Sequence, residues 1–243
     1  MSLPSDAYVV FANTGKEEEA TLRFIDRCSK EWNVDIHWLE YTNDEPNFKR
    51  VTFATANRTG KPFEELITRR NYLPNPVTRY CTSQLKIRVI NQYLKSLGWE
   101  DHTENSDWMG IRADEPRRAA KIPDKSRIPL VVSGVTVADV FNFWKNNHFD
   151  LELPTINGKT VHGNCDLCFL KPAAQILSLI QEKPEKAIWW AKMESMIEQT
   201  NLKPSGSVFR QDRPKYSSML KFTEDQQMMF DVNEETIACF CGD

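Results

Sequence analysis

The opening of the chain alternates short apolar runs with an amphipathic segment, and this pattern restricts the fold more than any other feature. Residues 8–12 (YVVFA) and 35–41 (DIHWLEY) are typical of strands, and the segment between them places Leu22, Ile25 and Trp32 on one helical face. A strand, a helix and a strand in so short a span predict a right-handed parallel βαβ unit. We therefore expect an α/β domain with a parallel sheet and flanking helices.

Two groups of residues are expected at the rim where such a sheet binds its ligands. Ligands lie at the carboxyl ends of parallel strands. The sequence places Asn13, Thr14 and Gly15 after the first strand, and Glu40 and Tyr41 at the end of the second. Local physics favours an ordinary tight turn for Asn-Thr-Gly, and ligand contact is the alternative.

The whole chain, 1–243, is interpreted as one domain with two parts. Its length and its 40% hydrophobic content suffice for a single core. An α/β core is expected in 1–130, and a mostly helical part with a Cys-x-x-Cys pair in 131–243. Apolar patterns predict further strands at 48–55 and 106–111, and helices at 62–70, 82–97, 135–147, 173–181 and 186–200. The polar tail from Lys203 onward is expected to pack loosely.

The composition predicts a cytoplasmic protein with reduced thiols and no membrane partner. A formal charge of −3 gives no general attraction to nucleic acid or to an anionic membrane. The chain also lacks a secretory signal and an apolar run of the about 18 residues that a membrane span needs. Cytosolic thiols stay reduced. The six cysteines are therefore candidate ligands, nucleophiles or core residues: Cys28, Cys81, Cys165, Cys168, Cys239 and Cys241.

The pair Cys165 and Cys168 is the strongest indication of a metal site. Two thiolates two residues apart can converge on zinc or on an iron–sulfur cluster, but either centre needs further ligands. The candidates for those ligands are Cys81, Cys239, Cys241 and His162. Zinc would accept His162 with three cysteines, whereas a cluster prefers thiolates. A cluster is favoured over zinc, and zinc over a redox disulfide. Cys28 lies on the apolar face of the first helix and is interpreted as a core residue.

A basic segment precedes the cysteine pair. Residues 112–127 carry six cationic and three acidic side chains, and two prolines that disfavour a long helix. A solvated loop is one interpretation. A loop that binds phosphate or sulfate is the other, since arginine guanidinium groups match those oxygens bidentately.

Five motifs occur in the order typical of one family. They are YVVFANTGKEEEATLRFI, RYCTSQLKIRVINQYL, GIRADEPRR, IPL followed by VTVADVFNFW, and HGNCDLCFLK. In this order they resemble the phosphoadenosine phosphosulfate (PAPS) reductase family of the adenine nucleotide α-hydrolase-like, PP-loop superfamily. The resemblance implies a Rossmann-like parallel sheet in which 1–130 binds an adenine nucleotide: PAPS, adenylylsulfate or ATP. It also implies sulfonucleotide reduction or adenylation-dependent sulfur transfer, with a thiol reductant or a sulfur donor as partner.

The resemblance assigns roles to individual residues. By position it implies nucleotide or anion binding by Asn13, Thr14, Gly15, Arg79, Lys86, Gly110, Arg112 and Arg117. Cys81, Cys165 and Cys168 match three-cysteine [4Fe–4S] sites of tRNA thiolases in the superfamily, and Cys239 or Cys241 is available as a fourth ligand. Cys241-Gly242 also resembles the C-terminal nucleophile of cluster-free PAPS reductases.

The chain departs from the family pattern at its start. The glycine-rich PP-loop that cradles phosphate is not found, so the chain is expected to begin at the second strand of the family's domain. The alternative function is therefore a non-catalytic module that binds a nucleotide, RNA or DNA and holds a structural zinc or cluster. A homodimer is compatible with either function.

Overall fold

A computed structural model describes residues 7–99, 107–156, 159–160, 162–163, 165–201 and 206–232. The strands are β1 (Val9–Asn13), β2 (Ile36–Tyr41), β3 (Phe48–Val51), β4 (Thr155–Ile156) and β5 (Lys159–Thr160). The first helices are α1 (Glu19–Trp32), α2 (Lys61–Arg70), α3 (Tyr80–Thr82), α4 (Arg88–Ser96) and α5 (Pro116–Ala119). Then follow α6 (Pro129–Val132), α7 (Val137–Lys145), α8 (Ala173–Glu182), α9 (Glu185–Thr200) and α10 (Tyr216–Val232).

The predicted βαβ unit is confirmed. β1 pairs in parallel with β2, from Val9 opposite Ile36 to Asn13 opposite Glu40, and α1 connects the two strands. Helix α1 buries Leu22 and Cys28, which confirms the interpretation of Cys28 as a core residue. The fold is thus α/β, with Asn13 and Glu40 side by side at the carboxyl ends of two parallel strands.

The sheet is mixed, which corrects the expectation of a wholly parallel one. β3 pairs antiparallel with β2, and the strand order among the described residues is β1-β2-β3. The connection from β2 to β3 is too short for the helical crossover that a parallel pair requires. It is a tight turn in which Asn47 adopts a left-handed conformation and donates its backbone N–H to the carbonyl of Asp44.

The strand predicted at 106–111 is wrong for residues 107–111, which form no strand; Ser106 lies outside the described residues. The backbone N–H of Met109 bonds to the carbonyl of Arg127, and that of Ile111 bonds to the carbonyl of Met109. These loop hydrogen bonds replace a strand ladder, and Ile111 packs into a small cluster with Ala119 and Ile128.

The five predicted helices are present, but the one predicted at 82–97 has an irregular turn. Helices α3 and α4 are joined by a π-helical turn, Ser83–Ile87, which contains Lys86. Such turns are rare in proteins overall, and those that occur are often found at functional sites. The helix ends before Gly98, whose φ of 90° stops it.

The main core joins both parts of the chain and includes segments predicted to be loose. Helices α2, α8, α9 and α10 contribute to one hydrophobic cluster with Leu39 and Tyr41 of β2. Phe209, Tyr216 and Met219 are buried in it. The prediction of a loosely packed tail is therefore wrong for 206–226, because Tyr216 stacks on the Trp190 ring and Phe209 meets that ring edge-on. Among the described helices none combines the length and the apolar character that crossing a membrane demands.

Candidate functional site

Two loops far apart in sequence meet at the carboxyl end of β1. Glu17, in the loop after β1, and Cys165, in the cysteine loop, form an isolated antiparallel bridge. Next to it, the backbone N–H of Asp166 donates to the carbonyl of Lys16 over 2.7 Å. The structure therefore brings the Asn-Thr-Gly segment, predicted to lie at the strand ends, together with the Cys-x-x-Cys pair.

Asn13 and Gly15 shape the turn. The Asn13 side chain is fully buried; it donates to Glu40 Oε1 over 2.7 Å and accepts the backbone N–H of Gly15 over 3.0 Å. Gly15 has a φ of 80°, and a Cβ there would lie 2.6 Å from Asn57 Oδ1. Both ends of the Asn13 amide are thus used within the protein. The turn interpretation suffices for these two residues.

Thr14 links the turn to the cysteines. Its hydroxyl donates to Glu17 Oε2 over 2.7 Å and lies 3.6 Å from Cys165 Sγ. Its backbone N–H also donates to Glu17 Oε2, over 3.0 Å. Thr14 therefore fixes the Glu17 carboxylate beside the Cys165 thiol.

Of the predicted thiols, Cys168 lies close enough to both Cys81 and Cys165 to influence their pKa values electrostatically. Burial raises the pKa of Cys81, and the charge of Cys168 raises it further. Burial also raises the pKa of Cys165 well above its usual range, with Glu17 adding to the effect and Lys86 opposing it. Without a bound cation, Cys81 and Cys165 are consequently neutral thiols.

Lys86 is the cation that the π-helical turn presents to this group. Its Nζ lies 3.6 Å from Glu17 Oε1. Burial lowers the pKa of Lys86, but the Glu17 carboxylate, with a smaller effect from the acidic thiol groups of Cys165 and Cys81 where they ionise, outweighs burial and raises the pKa above its usual value. Lys86 therefore stays charged, and its side chain is 42% exposed to solvent.

Buried charges hold the cysteine loop in place. Asp166, between the two cysteines, forms a 2.9 Å ion pair with Lys16 and accepts the indole N–H of Trp190 over 2.8 Å. Lys171 donates to the carbonyls of Cys165 and Asp166 over 2.7 and 2.8 Å. The side chains of Lys16, Asp166 and Lys171 are all more than nine-tenths buried, which few charged residues are.

The imidazole ring of His162 lies between two carboxylates. Its Nδ1 lies 4.0 Å from Glu18 Oε1, and its Nε2 lies 3.3 Å from Glu182 Oε2. Both ring nitrogens therefore face acids, which does not favour the zinc alternative that uses His162 as a ligand. Over the described ranges, no three His, Cys, Asp or Glu side chains converge on a point that could hold one ion.

The basic loop pairs within itself. Arg112 contacts Asp114 over 3.0 Å and Glu115 over 3.5 Å, and Arg118 contacts Glu115 over 2.6 Å. Gly110 and Arg117 are exposed. These contacts favour the interpretation of 112–127 as a solvated loop.

Three predicted site residues remain: Arg79, Cys239 and Cys241. Arg79 is exposed at the start of α3, where its charge lowers the pKa of Cys81 against burial. Cys239 and Cys241 lie outside the described residues, so their predicted roles stay predictions.

Sequence reasoning missed Glu17, Lys16, Asp166 and Lys171. A signal for Glu17 was present: Thr14-Gly15-Lys16-Glu17 has the T-x-x-E spacing of a capping box, in which the glutamate returns to the threonine N–H. No comparable local signal marks the three buried charges, because their partners come from distant segments.

The chain is similar to a protein of Escherichia phage lambda, the uncharacterized nin region protein ORF290. It is 29% identical to this chain over 183 residues, which make up 70% of this chain and 59% of the relative. The chain thus spans less than two thirds of that protein's length. No family model matches the chain, and no solved structure matches it.

Proposed function

We propose that the chain is a PAPS reductase-like protein with a Rossmann-like nucleotide-binding fold and a [4Fe–4S] cluster held by Cys81, Cys165 and Cys168. Its reaction is sulfonucleotide reduction or adenylation-dependent sulfur transfer. The observation that supports this most is the gathering of three thiols from two distant segments beside Thr14 and Lys86, at the carboxyl end of a parallel strand.

The donor set suits a cluster better than a single zinc ion. Zinc requires four ligands, each about 2 Å from one point, and the described side chains do not converge in that way. A cluster is several ångström across and binds thiolates around its periphery. The buried thiols of Cys81 and Cys165 also suit it, because they exclude water and become ligands on losing a proton.

In this proposal Lys86 binds the substrate anion and compensates charge, and Thr14 and Lys171 position Cys165. Lys86 attracts the sulfate or phosphate oxygens of an adenine nucleotide and offsets the thiolate charge. Thr14 and Lys171 hold the Cys165 side chain and backbone. A bound cluster supplies a Lewis-acidic or electron-carrying site for the sulfur atom.

The non-catalytic module that binds RNA or DNA is less well supported. Nucleic-acid affinity depends on cations that are free to meet phosphates. Arg112 and Arg118 instead pair with acids of their own loop.

Metal analysis tests the proposal. Protein purified without oxygen should contain about four irons and four acid-labile sulfides per chain, with a broad visible absorbance. The variants Cys81→Ser, Cys165→Ser and Cys168→Ser should lose them, and Cys28→Ser, which alters a buried thiol of α1, should keep them. Titration with PAPS, adenylylsulfate and ATP should then show one nucleotide that binds. Metal-free protein, or one that binds no adenine nucleotide, would rule the proposal out.

A further inference from the structure

Cys165 and Cys168 lie at the two ends of one tight turn. The backbone N–H of Cys168 donates to the carbonyl of Cys165 over 3.3 Å, and this hydrogen bond closes the turn. In such a turn the first and last Cα atoms lie within about 7 Å of each other. Disulfides join cysteines whose Cα atoms are about 4.4 to 6.8 Å apart. The turn therefore holds the pair at a separation that a disulfide can span.

The folded protein fixes this turn through its backbone carbonyls. Lys171 donates its side-chain amine to the carbonyls of residues 165 and 166, and its backbone N–H to the carbonyl of residue 168 over 2.9 Å. The buried Tyr216 hydroxyl donates to the carbonyl of Leu167 over 2.6 Å. Every carbonyl from 165 to 168 thus has a donor within the protein, so the protein itself fixes the spacing of the two cysteines.

The two thiols differ in their surroundings. The Cys165 thiol lies 3.6 Å from the Thr14 hydroxyl, and the Cys165 backbone bridges to Glu17. Cys168 is half-buried, whereas Cys28 is buried in α1. We therefore expect Cys168 to meet a reagent from solution first, with Cys165 as the second thiol of the pair.

We propose that Cys165 and Cys168 are a redox pair in the metal-free protein, which a small-molecule disulfide such as oxidised glutathione converts to an intramolecular disulfide. The Cys168 sulfur attacks the small disulfide and releases one small thiol, and the Cys165 sulfur then attacks Cys168 and releases the other. One S–S bond breaks in the reagent and one forms in the protein. The two thiol protons and two electrons leave with the two released thiols.

The disulfide regulates the site of the proposed function. It withdraws two of the three thiolates that would hold the cluster, so the oxidised protein cannot assemble one. This consequence rests on the proposed function, whereas formation of the disulfide does not.

Cys81 is the competing partner for Cys168. The two residues are close enough for the charge of Cys168 to raise the pKa of Cys81. Cys81 belongs to α3, however, so a bond between them depends on the relative position of two separate segments. The bond between Cys165 and Cys168 needs only the one turn that is already formed.

The test equilibrates metal-free protein with mixtures of reduced and oxidised glutathione. Free thiols are trapped by alkylation, and peptide mapping by mass spectrometry identifies which cysteines are joined. The wild type is compared with the same chain unfolded in urea, with Cys81→Ser, and with Cys81→Ser combined with Cys165→Ser. Cys28→Ser is the matched control, because it removes a buried thiol of α1.

We expect the wild type, Cys81→Ser and Cys28→Ser to join Cys165 to Cys168. Their equilibrium constant for oxidation should be at least about tenfold larger than that of the unfolded chain, because the turn is already ordered. The double variant should instead keep glutathione on Cys168. A link from Cys81 to Cys168, or equal oxidation of the folded and unfolded chains, would overturn the proposal. The comparison with the unfolded wild type decides it even if the double variant does not fold.

Reconstitution with iron and sulfide separates this inference from the proposed function. The reduced protein should take up the cluster, and the oxidised protein should do so only after a dithiol cleaves the disulfide. Cluster uptake with the disulfide intact would overturn the regulation. A reduced protein that takes up no metal would overturn the proposed function and leave the redox pair standing.

Discussion

Glu194 of α9 makes the stability of the protein depend on pH near neutrality. Its side chain is 3% exposed, and its carboxylate accepts the backbone N–H groups of Tyr216 and Phe209 over 2.8 and 3.4 Å. Burial raises its pKa from an ordinary 4.5 to about 7, although the two hydrogen bonds oppose the rise. The folded protein therefore binds a proton that the unfolded chain releases more readily.

The direction of the effect follows from linkage. The pKa is higher in the folded state, so protonation of Glu194 favours folding below pH 4.5, and this contribution is lost as the pH rises to about 7. A difference of 2.5 units at about 1.4 kcal/mol each gives about 3 kcal/mol. Above pH 7 the loss is complete and the free energy of unfolding no longer changes through this group.

The prediction is tested with the substitution Glu194→Gln, which replaces the titrating carboxyl group with an amide that does not titrate. Urea unfolding of both proteins at pH 5, 6, 7 and 8 gives the difference in free energy of unfolding at each pH. Relative to the variant, the wild type should lose about 2.5 kcal/mol between pH 5 and pH 8, because about 1 kcal/mol of the total is already lost at pH 5. Glu198→Gln is the control, because Glu198 is 56% exposed and should give a difference independent of pH. A flat difference for Glu194→Gln would refute the reasoning.

Two further predictions concern the contact between the loops. Gly15→Ala should lower the free energy of unfolding by about 3 kcal/mol, more than Gly134→Ala, because both glycines have positive φ but only Gly15 is crowded; equal thermal shifts would contradict this. Asp166→Asn should cost about 3 kcal/mol by leaving Lys16 buried and unpaired. Asp26→Asn, which breaks the exposed pair with Lys30, should cost under about 1 kcal/mol in the same urea titration; similar losses would contradict the buried-pair argument.

The sequence predicted what local periodicity determines. The β1-α1-β2 unit and the helices were recognisable because their apolar spacing is set within a few turns or strands. The direction of β3 was not predicted, because strand polarity depends on the turn at Asn47 and not on the strand's own residues. The burial of Phe209 and Tyr216 was missed for a similar reason. Their neighbours in sequence are polar, and the Glu194 carboxylate that accepts their backbone N–H groups belongs to another helix.

The candidate site, like the fold, was predicted only in part from the sequence. Thr14, Lys86, Cys81, Cys165 and Cys168 were identified from motif order, and the structure places them near one another. Arg112 was also identified in this way, but two acids of its own loop occupy it. Pairing of that kind is decided by side-chain geometry within the loop, which a motif does not specify.

The buried charges at the loop contact explain how the cysteine loop can be held in register by the protein alone. Apolar residues at positions 16 and 166 would pack at least as stably, since a buried ion pair often gains little over hydrophobic neighbours. An apolar contact, however, tolerates sliding, whereas Asp166 must meet Lys16 Nζ and the Trp190 indole together. Only one placement of the cysteine loop satisfies both partners, and it sets Cys165 beside Thr14. We infer that Asp166 acts mainly on the position of the thiols, so Asp166→Asn should weaken metal retention more than its cost in folding alone explains.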